Sequence, residues 1–264
     1  MLRPRVTPCL LIRNGGLIKT RQFKDDKYVG DPINAVKIFN EKAVDELIIL
    51  DIDATVHGKE PDYQLIQKLA NESRMPLCYG GGIKNINQAE KIIQLGVEKI
   101  SLSSAIIRRP ELIDELAHAV GRQSVVGVLD VKKSFFKGHE LYINNGKDKV
   151  KGSLISWVEK LQDYGIGEIL FNSVDRDGMQ DGYDLNFANA VRPRLKVPVT
   201  FLGGAGSLKD IGKLVENFGV VGCAAGSLFV FKGKYRAVLI NYPSFDDKYS
   251  LLTKSLQIYN NNAV

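Results

Sequence analysis

The 264 residues are 44% hydrophobic and 25% charged, enough to bury a full core as one large domain or two small ones. The net charge of +6 comes from 36 basic residues interspersed with 30 acids, with no run of lysines or arginines, which favours an anionic small ligand or an acidic partner over nucleic acid. No segment approaches the apolar length that spans a bilayer, and Cys9, Cys78 and Cys223 stand apart inside apolar runs, so a cytoplasmic chain with reduced core cysteines is expected. His57, His118 and His139 share no ligand spacing with each other or with a cysteine; no metal site is expected, and nothing in the sequence calls for a cofactor.

In chain order, candidate strands are RVTPCLLI (5–12), ELIILD (46–51), PLCYG (76–80), KISLS (99–103), SVVGVLDV (124–131), EILFNS (168–173), PVTFLG (198–203) and VVGCAAG (220–226). Helical patterns lie between most of them, at 31–42, 62–73, 87–96, 110–120, 154–165, 184–193 and 207–219. Pro32 and Pro110 stand where a first-turn proline belongs, and Gly96, Gly165 and Gly219 where a C-terminal cap belongs. Continuous apolar strands alternating with helices predict a parallel sheet covered by helices, and eight such units predict a single (β/α)8 TIM barrel. A doubly wound open sheet is the alternative.

An internal repeat favours the barrel. VDELIILDIDAT (44–55) resembles GIGEILFNSVDRDG (165–178), aligning Glu46 with Glu168, and the stretch 76–107 resembles 198–229, aligning Gly80 with Gly203. The expected organisation is two half-barrels, about 1–121 and 122–232, followed by a divergent segment 233–264. GGG (80–82) follows strand 3 and GGAG (203–206) follows strand 7, each before a helix. Glycines there let backbone amides approach a phosphate, and the helix start adds favourable partial charge. Two such turns half a barrel apart, with Ser103, Ser104 and Ser227 as extra hydroxyl donors, point to a ligand phosphorylated at both ends.

RVTPCL, Lys19, ELIILDIDA, GGGI, VDRDG followed by GYD, and GGAG together resemble the HisF family, the cyclase subunit of imidazole glycerol phosphate synthase, from residue 1 to about 231. The resemblance implies a barrel that receives ammonia from a HisH-like glutaminase as a heterodimer and uses it at the top face to split a bis-phosphorylated ribulosyl substrate and close an imidazole. It implies phosphate binding by Lys19, Gly81, Gly82, Ser103, Ser104, Asp177, Gly178, Gly204, Gly226 and Ser227. It implies a charged ammonia gate of Arg5, Glu46, Lys99 and Glu168 at the strand starts, with Glu98 facing the glutaminase. The family's catalytic aspartates fall at positions 11 and 130, and only Asp130 is present; position 11 is Leu11. Leucine can neither accept nor donate a proton, so an acid-base pair is incomplete. The family's Asn-Thr after strand 4 is Ser103-Ser104, a threonine ending strand 6 is Asn172, and a serine before GGAG is Leu202. Intake is therefore expected to be intact and the reaction site altered.

The PCLLI opening and the YRAVLINYPS tail (235–244) resemble HisF-like paralogues of surface-polysaccharide clusters, in which a glutaminase and a HisF-like subunit feed ammonia to a separate sugar amidotransferase. The expectation is an ammonia-channelling subunit serving amidation of a sugar. The alternatives are cyclase activity in histidine biosynthesis and a non-catalytic activator of the glutaminase.

Overall fold

The structure, a computed structural model, describes residues 3–134 and 138–262; the remaining positions of the expected half-barrels and tail lie outside the described residues. Eight parallel strands form a closed ring: β1 (Arg5–Arg13), β2 (Leu47–Asp51), β3 (Leu77–Gly80), β4 (Lys99–Leu102), β5 (Val125–Ser134), β6 (Glu168–Ser173), β7 (Val199–Leu202) and β8 (Gly222–Ala225). Each strand pairs with its chain neighbour, and β8 returns to β1 with Gly222 opposite Arg5 and Ala224 opposite Thr7. Around the ring lie α1 (Pro32–Glu41), α2 (Tyr63–Glu72), α3 (Ile86–Gln94), α4 (Leu112–Val120), α5 (Leu154–Asp163), α6 (Leu185–Val191), α7 (Leu208–Phe218) and α8 (Phe245–Asn262). The expected (β/α)8 barrel is the fold. No described helix is long and apolar enough to cross a membrane.

The strands read as unbroken apolar runs because both of their faces are covered. Outward residues such as Leu10, Ile49 and Tyr79 pack beneath the helices in the larger core. Inward residues Cys9, Ile48, Cys78, Val126, Val128, Leu170, Leu202 and Ala224 form a second cluster, with Leu11 and Leu50 packed against it. This inner cluster fills the barrel axis. All three cysteines are free and buried.

Local chemistry sets the boundaries. Pro32 opens α1 behind an Asp31 cap, and Gly96, Gly165 and Gly219 have φ of 98°, 86° and 69° at their helix ends. Pro110 is not in the first turn of α4; it precedes the N-cap, Glu111. The glycine alignment also shifts by one. A Cβ on Gly81 would meet Asp51 O at 2.3 Å, and one on Gly203 would meet Ser173 O at 2.7 Å, so Gly81 and Gly203 are the spatial equivalents, at the offset that separates Glu46 from Glu168. Their glycine requirement arises from the adjoining strand end as much as from any ligand.

Two hairpins extend the strand ends beyond the predicted strands. β1 continues into an antiparallel hairpin, Gly16–Arg21 with Lys24–Gly30, and β5 into Gly138–Ile143 with Asp148–Lys149. In the tail, Phe231–Lys232 pairs with Ala237–Val238 before the chain enters α8, which contains the LLTKSLQ stretch.

Candidate functional site

The strand starts carry a closed ring of charge. Arg5 Nη1 lies 2.9 Å from Glu46 Oε2 and Arg5 Nη2 lies 2.6 Å from Glu168 Oε1. Lys99 Nζ completes the ring at 2.8 Å from Glu46 Oε1 and 2.9 Å from Glu168 Oε2. Cation and anion alternate, so each carboxylate oxygen pair is bridged by both bases, and Thr200 Oγ1 donates to Glu168 Oε1 at 2.6 Å. Burial pulls Lys99 and Arg5 toward the neutral form, but Glu168 and Glu46 outweigh it and hold both above their ordinary values. Glu168 is held low for the reciprocal reason, Arg5 and Lys99 overcoming its burial. Gly222 makes room for this arrangement: a Cβ there would stand 1.9 Å from Thr200 Oγ1. Glu98 is exposed at the same end, and its carboxylate accepts from Leu77 N at 2.6 Å, tying down the start of β3.

At the strand ends, two pockets share Leu11, Phe23 and Asn172. The first holds Gly81, Gly82, Ser103, Ser104 and Asp130; the second holds Lys19, Asp177, Gly178, Gly204, Gly226 and Ser227. The structure thus divides the ten expected phosphate residues between two pockets. Gly82 N is already engaged, donating to Thr55 Oγ1 at 3.1 Å. The starts of α3 and α7 are also engaged, contrary to expectation: Asn85 caps α3, and Ser207 with Asp210 form a capping box on α7. Two short helices that follow strand ends, Ser104–Arg108 after β4 and Ser227–Val230 after β8, start without a side-chain cap. Ser103 Oγ is buried without a partner among the described residues.

Asp130 is buried beside Leu11's end of the barrel, and its β6 neighbour Asn172 donates Nδ2 to Asp130 Oδ1 at 3.0 Å. Burial pushes the Asp130 carboxyl up to about 7, with Asn172 opposing and the Asp177 charge adding to the rise. A carboxyl poised there can give or take a proton near neutrality. Leu11 stands opposite Leu50 in the ladder, so the wall facing Asp130 is apolar. Asp177 lines its pocket with one carboxylate oxygen engaged: Oδ2 accepts from Thr20 Oγ1 at 2.5 Å and Phe23 N at 3.1 Å, which pins the β1 hairpin across the mouth. Lys19 Nζ, buried, donates to Cys9 O at 2.5 Å and is pulled below its ordinary value by desolvation.

Several residues here were not singled out by the sequence. Asp51 lines the first pocket and accepts from Asp53 N and Ala54 N. Asn144, in the turn of the β5 hairpin, meets Ser104 Oγ through its own N at 3.3 Å. Arg236 reaches Gly178 O at 3.0 Å from the tail. The NNG triplet at 144–146 was the available signal for the second of these. His139, outside both pockets, pairs with Asp184 at 3.0 Å, and His118 is exposed.

The histidine biosynthesis protein family matches residues 5–236. A Vibrio vulnificus protein, provisionally named imidazole glycerol phosphate synthase subunit hisF3, is 57% identical over 249 residues, 94% of this chain and 96% of its own. A Leptospira interrogans protein, provisionally named as the HisF subunit of the same synthase, is 52% identical over 252 residues, 95% of this chain and 99% of its own. The imidazole glycerol phosphate synthase subunit HisF of Clostridium botulinum is 40% identical over 233 residues, 88% and 92% of the two chains. The first two alignments are long enough to take in part of the tail that follows the family match.

Proposed function

The chain belongs to the HisF family, and from that premise we propose that it is the ammonia-channelling subunit of a glutamine-dependent amidotransferase complex, serving amidation of a surface-polysaccharide sugar. The observation that carries this reading is the contrast between the two ends of one barrel: a complete four-charge ring at the strand starts, and Leu11 where the partner of Asp130 is needed.

The ring suits a gate. Four short ion pairs compensate charges that burial would otherwise make costly, so the closed state is stable, and swinging one basic side chain outward opens a path. Beyond it, Cys9, Ile48, Cys78, Val126 and Leu170 offer an apolar lumen. Neutral ammonia can traverse such a lumen, whereas ammonium would lose its hydration there. A HisH-like glutaminase docked at the ring, near exposed Glu98, would release ammonia where only the neutral molecule passes. At the top, the paired pockets suit a small molecule carrying phosphate groups, and the ammonia continues to a separate sugar amidotransferase. Buried free thiols fit a cytoplasmic setting.

A second reading, the cyclase step of histidine biosynthesis, is favoured by Asp130 itself, whose carboxyl near pH 7 is suited to proton transfer. Complementation separates the two: the unmodified gene, expressed with its glutaminase, should fail to rescue a histidine auxotroph lacking the cyclase, and rescue would overturn the proposal. Mixing with the cognate glutaminase should give a heterodimer by size exclusion at micromolar concentration, and absence of a shift would remove the shared premise of both readings. Glutamine-dependent transfer of labelled nitrogen to an acceptor separates a conduit from a non-catalytic activator, which would raise glutaminase turnover but release all of the label to solvent.

A further inference from the structure

The tail brings a second basic group, beside Lys19, to the second pocket. Arg236 Nη1 donates to Gly178 O at 3.0 Å and to Gln180 Oε1 at 3.2 Å, and Nη2 lies 3.5 Å from Ser227 Oγ. The three residues that accept from it all line that pocket, which brings the guanidinium next to it although Arg236 is not itself part of the lining. It lies over Phe231, whose ring centroid is 4.6 Å from Cζ. A guanidinium has five N–H donors in a fixed fork. Nε and one Nη2 proton of Arg236 have no acceptor among the described residues.

Lys19 is in a similar condition. Its ammonium, buried and 2.5 Å from where a Gly226 Cβ would stand, has Cys9 O as its hydrogen-bond acceptor, which leaves donors facing the pocket. The carboxylate close by, Asp177, is turned to Thr20 and Phe23. The pocket therefore joins two cations with unused donors, a serine hydroxyl and glycine backbone, and its charge is not balanced from within. Burial and the nearby Arg21 lower the Arg236 pKa, with Asp177 opposing, in keeping with a cation drawn close to others of its sign.

The backbone holds Arg236 there. Its φ of 51° is one that non-glycine residues rarely adopt, fixed by its N–H to Gly233 O at 3.0 Å. Leu239 N to Val230 O and Asn241 N to Phe229 O, both 2.9 Å, lash the tail to the short helix that begins at Ser227. Side chain and pocket serine thus belong to one tied unit.

We propose that Arg236 is a ligand-binding residue of the second pocket and, with Lys19 and Ser227, takes a phosphate monoester dianion of the bound small molecule. This rests on the reading of the top face as a phosphate cradle. Bidentate or single, an arginine contact adds a charge-assisted bond that lysine reproduces only in part.

The test uses the full chain and inorganic phosphate at pH 7.5, followed through two sets of amide resonances: Gly82 and Ser104 for the first pocket, Gly204 and Ser227 for the second. Both sets should shift in the unmodified protein. Arg236→Gln should weaken phosphate about tenfold at Gly204 and Ser227 and leave Gly82 and Ser104 unchanged, with Arg236→Lys recovering part of the loss. An arginine that only ties the tail to the Gly178 loop would leave phosphate affinity at the second set within twofold, and that outcome overturns the proposal. A shift confined to the first set also overturns it, while a lack of shift at both sets in the unmodified protein overturns the cradle reading beneath it.

Discussion

Replacing Asp130 with asparagine should stabilise the protein above neutral pH and not below pH 4. Asp130 is buried, and its carboxyl rises from an ordinary 3.8 to about 7, chiefly because its anion is desolvated. A carboxyl whose folded pKa is raised keeps its proton in the native state while the unfolded chain loses it. Its contribution is therefore fully present below the unfolded value and is lost as pH climbs through the folded one. Asparagine has no charge to desolvate and can still accept from Asn172 Nδ2. The advantage of Asp130→Asn over the unmodified chain should accumulate between about pH 4 and about pH 7, at roughly 1.4 kcal/mol per unit, to about 4 kcal/mol. The Asp177 charge, which adds to the rise, contributes to the same penalty and is relieved with it in the variant. Urea unfolding of both proteins at pH 5 and pH 8 reads the effect: the gap should widen by about 3 kcal/mol toward pH 8. A gap equal at the two pH values, or narrowing, would refute the burial argument.

Lys99→Met should cost about 2–4 kcal/mol in the same unfolding assay, because Glu46 and Glu168 each lose one of two cations while staying buried; it should also uncouple glutamine hydrolysis from nitrogen delivery, measured as the share of label reaching an acceptor. Thr200→Val keeps the shape but removes the hydroxyl donated to Glu168 Oε1, with an expected loss of about 1–2 kcal/mol by denaturant melt. Gly81→Ala meets both a φ of 122° and Asp51 O at 2.3 Å, so its thermal midpoint should fall well below that of Gly15→Ala, where only the φ of 76° opposes the change. Leu11→Asp should give at most a trace of cyclisation of the bis-phosphorylated ribulosyl compound in a coupled absorbance assay, because Asn172 and Leu202 also line the mouth and small misplacements are expensive.

The barrel was legible because its strands are buried on both faces and its helices carry their own boundary signals. ELIILD and EILFNS match β2 and β6 nearly residue for residue, and Pro32, Gly165 and Gly219 stand where helix geometry uses them. The β1 hairpin was not legible for the same physical reason in reverse. KDDKYVG, Lys24–Gly30, is exposed along most of its length, so no apolar period marks it as a strand, and its charges read as a loop. Only turn chemistry could have exposed the pair of hairpins: NGG at 14–16 and NNG at 144–146, where Asn14, Asn144 and Asn145 have φ of 50°, 54° and 56°. What those hairpins do is decided far along the chain, through Asp177 on Thr20 and through Asn144 on Ser104.

The two ends of the site differ in legibility because they are built from different kinds of contact. The charged ring uses residues at strand starts, one per strand, and a closed ring of parallel strands must bring such positions to one level, so residue type and register suffice to assemble Arg5, Glu46, Lys99 and Glu168. The top face is built from loops, whose paths no periodicity fixes. There the glycines misled in part: Gly81 and Gly203 are demanded by the backbone of Asp51 and Ser173, and the starts of α3 and α7 close on their own caps, a pattern that Asn85-x-x-Gln88 and Ser207-x-x-Asp210 already carried. Glycine after a strand therefore argues for close backbone approach before it argues for phosphate. The stronger sign of an anion is a buried cation with donors to spare, and Lys19 acquires that meaning only when its carbonyl partner Cys9 and the distant Arg236 are seen around the same cavity.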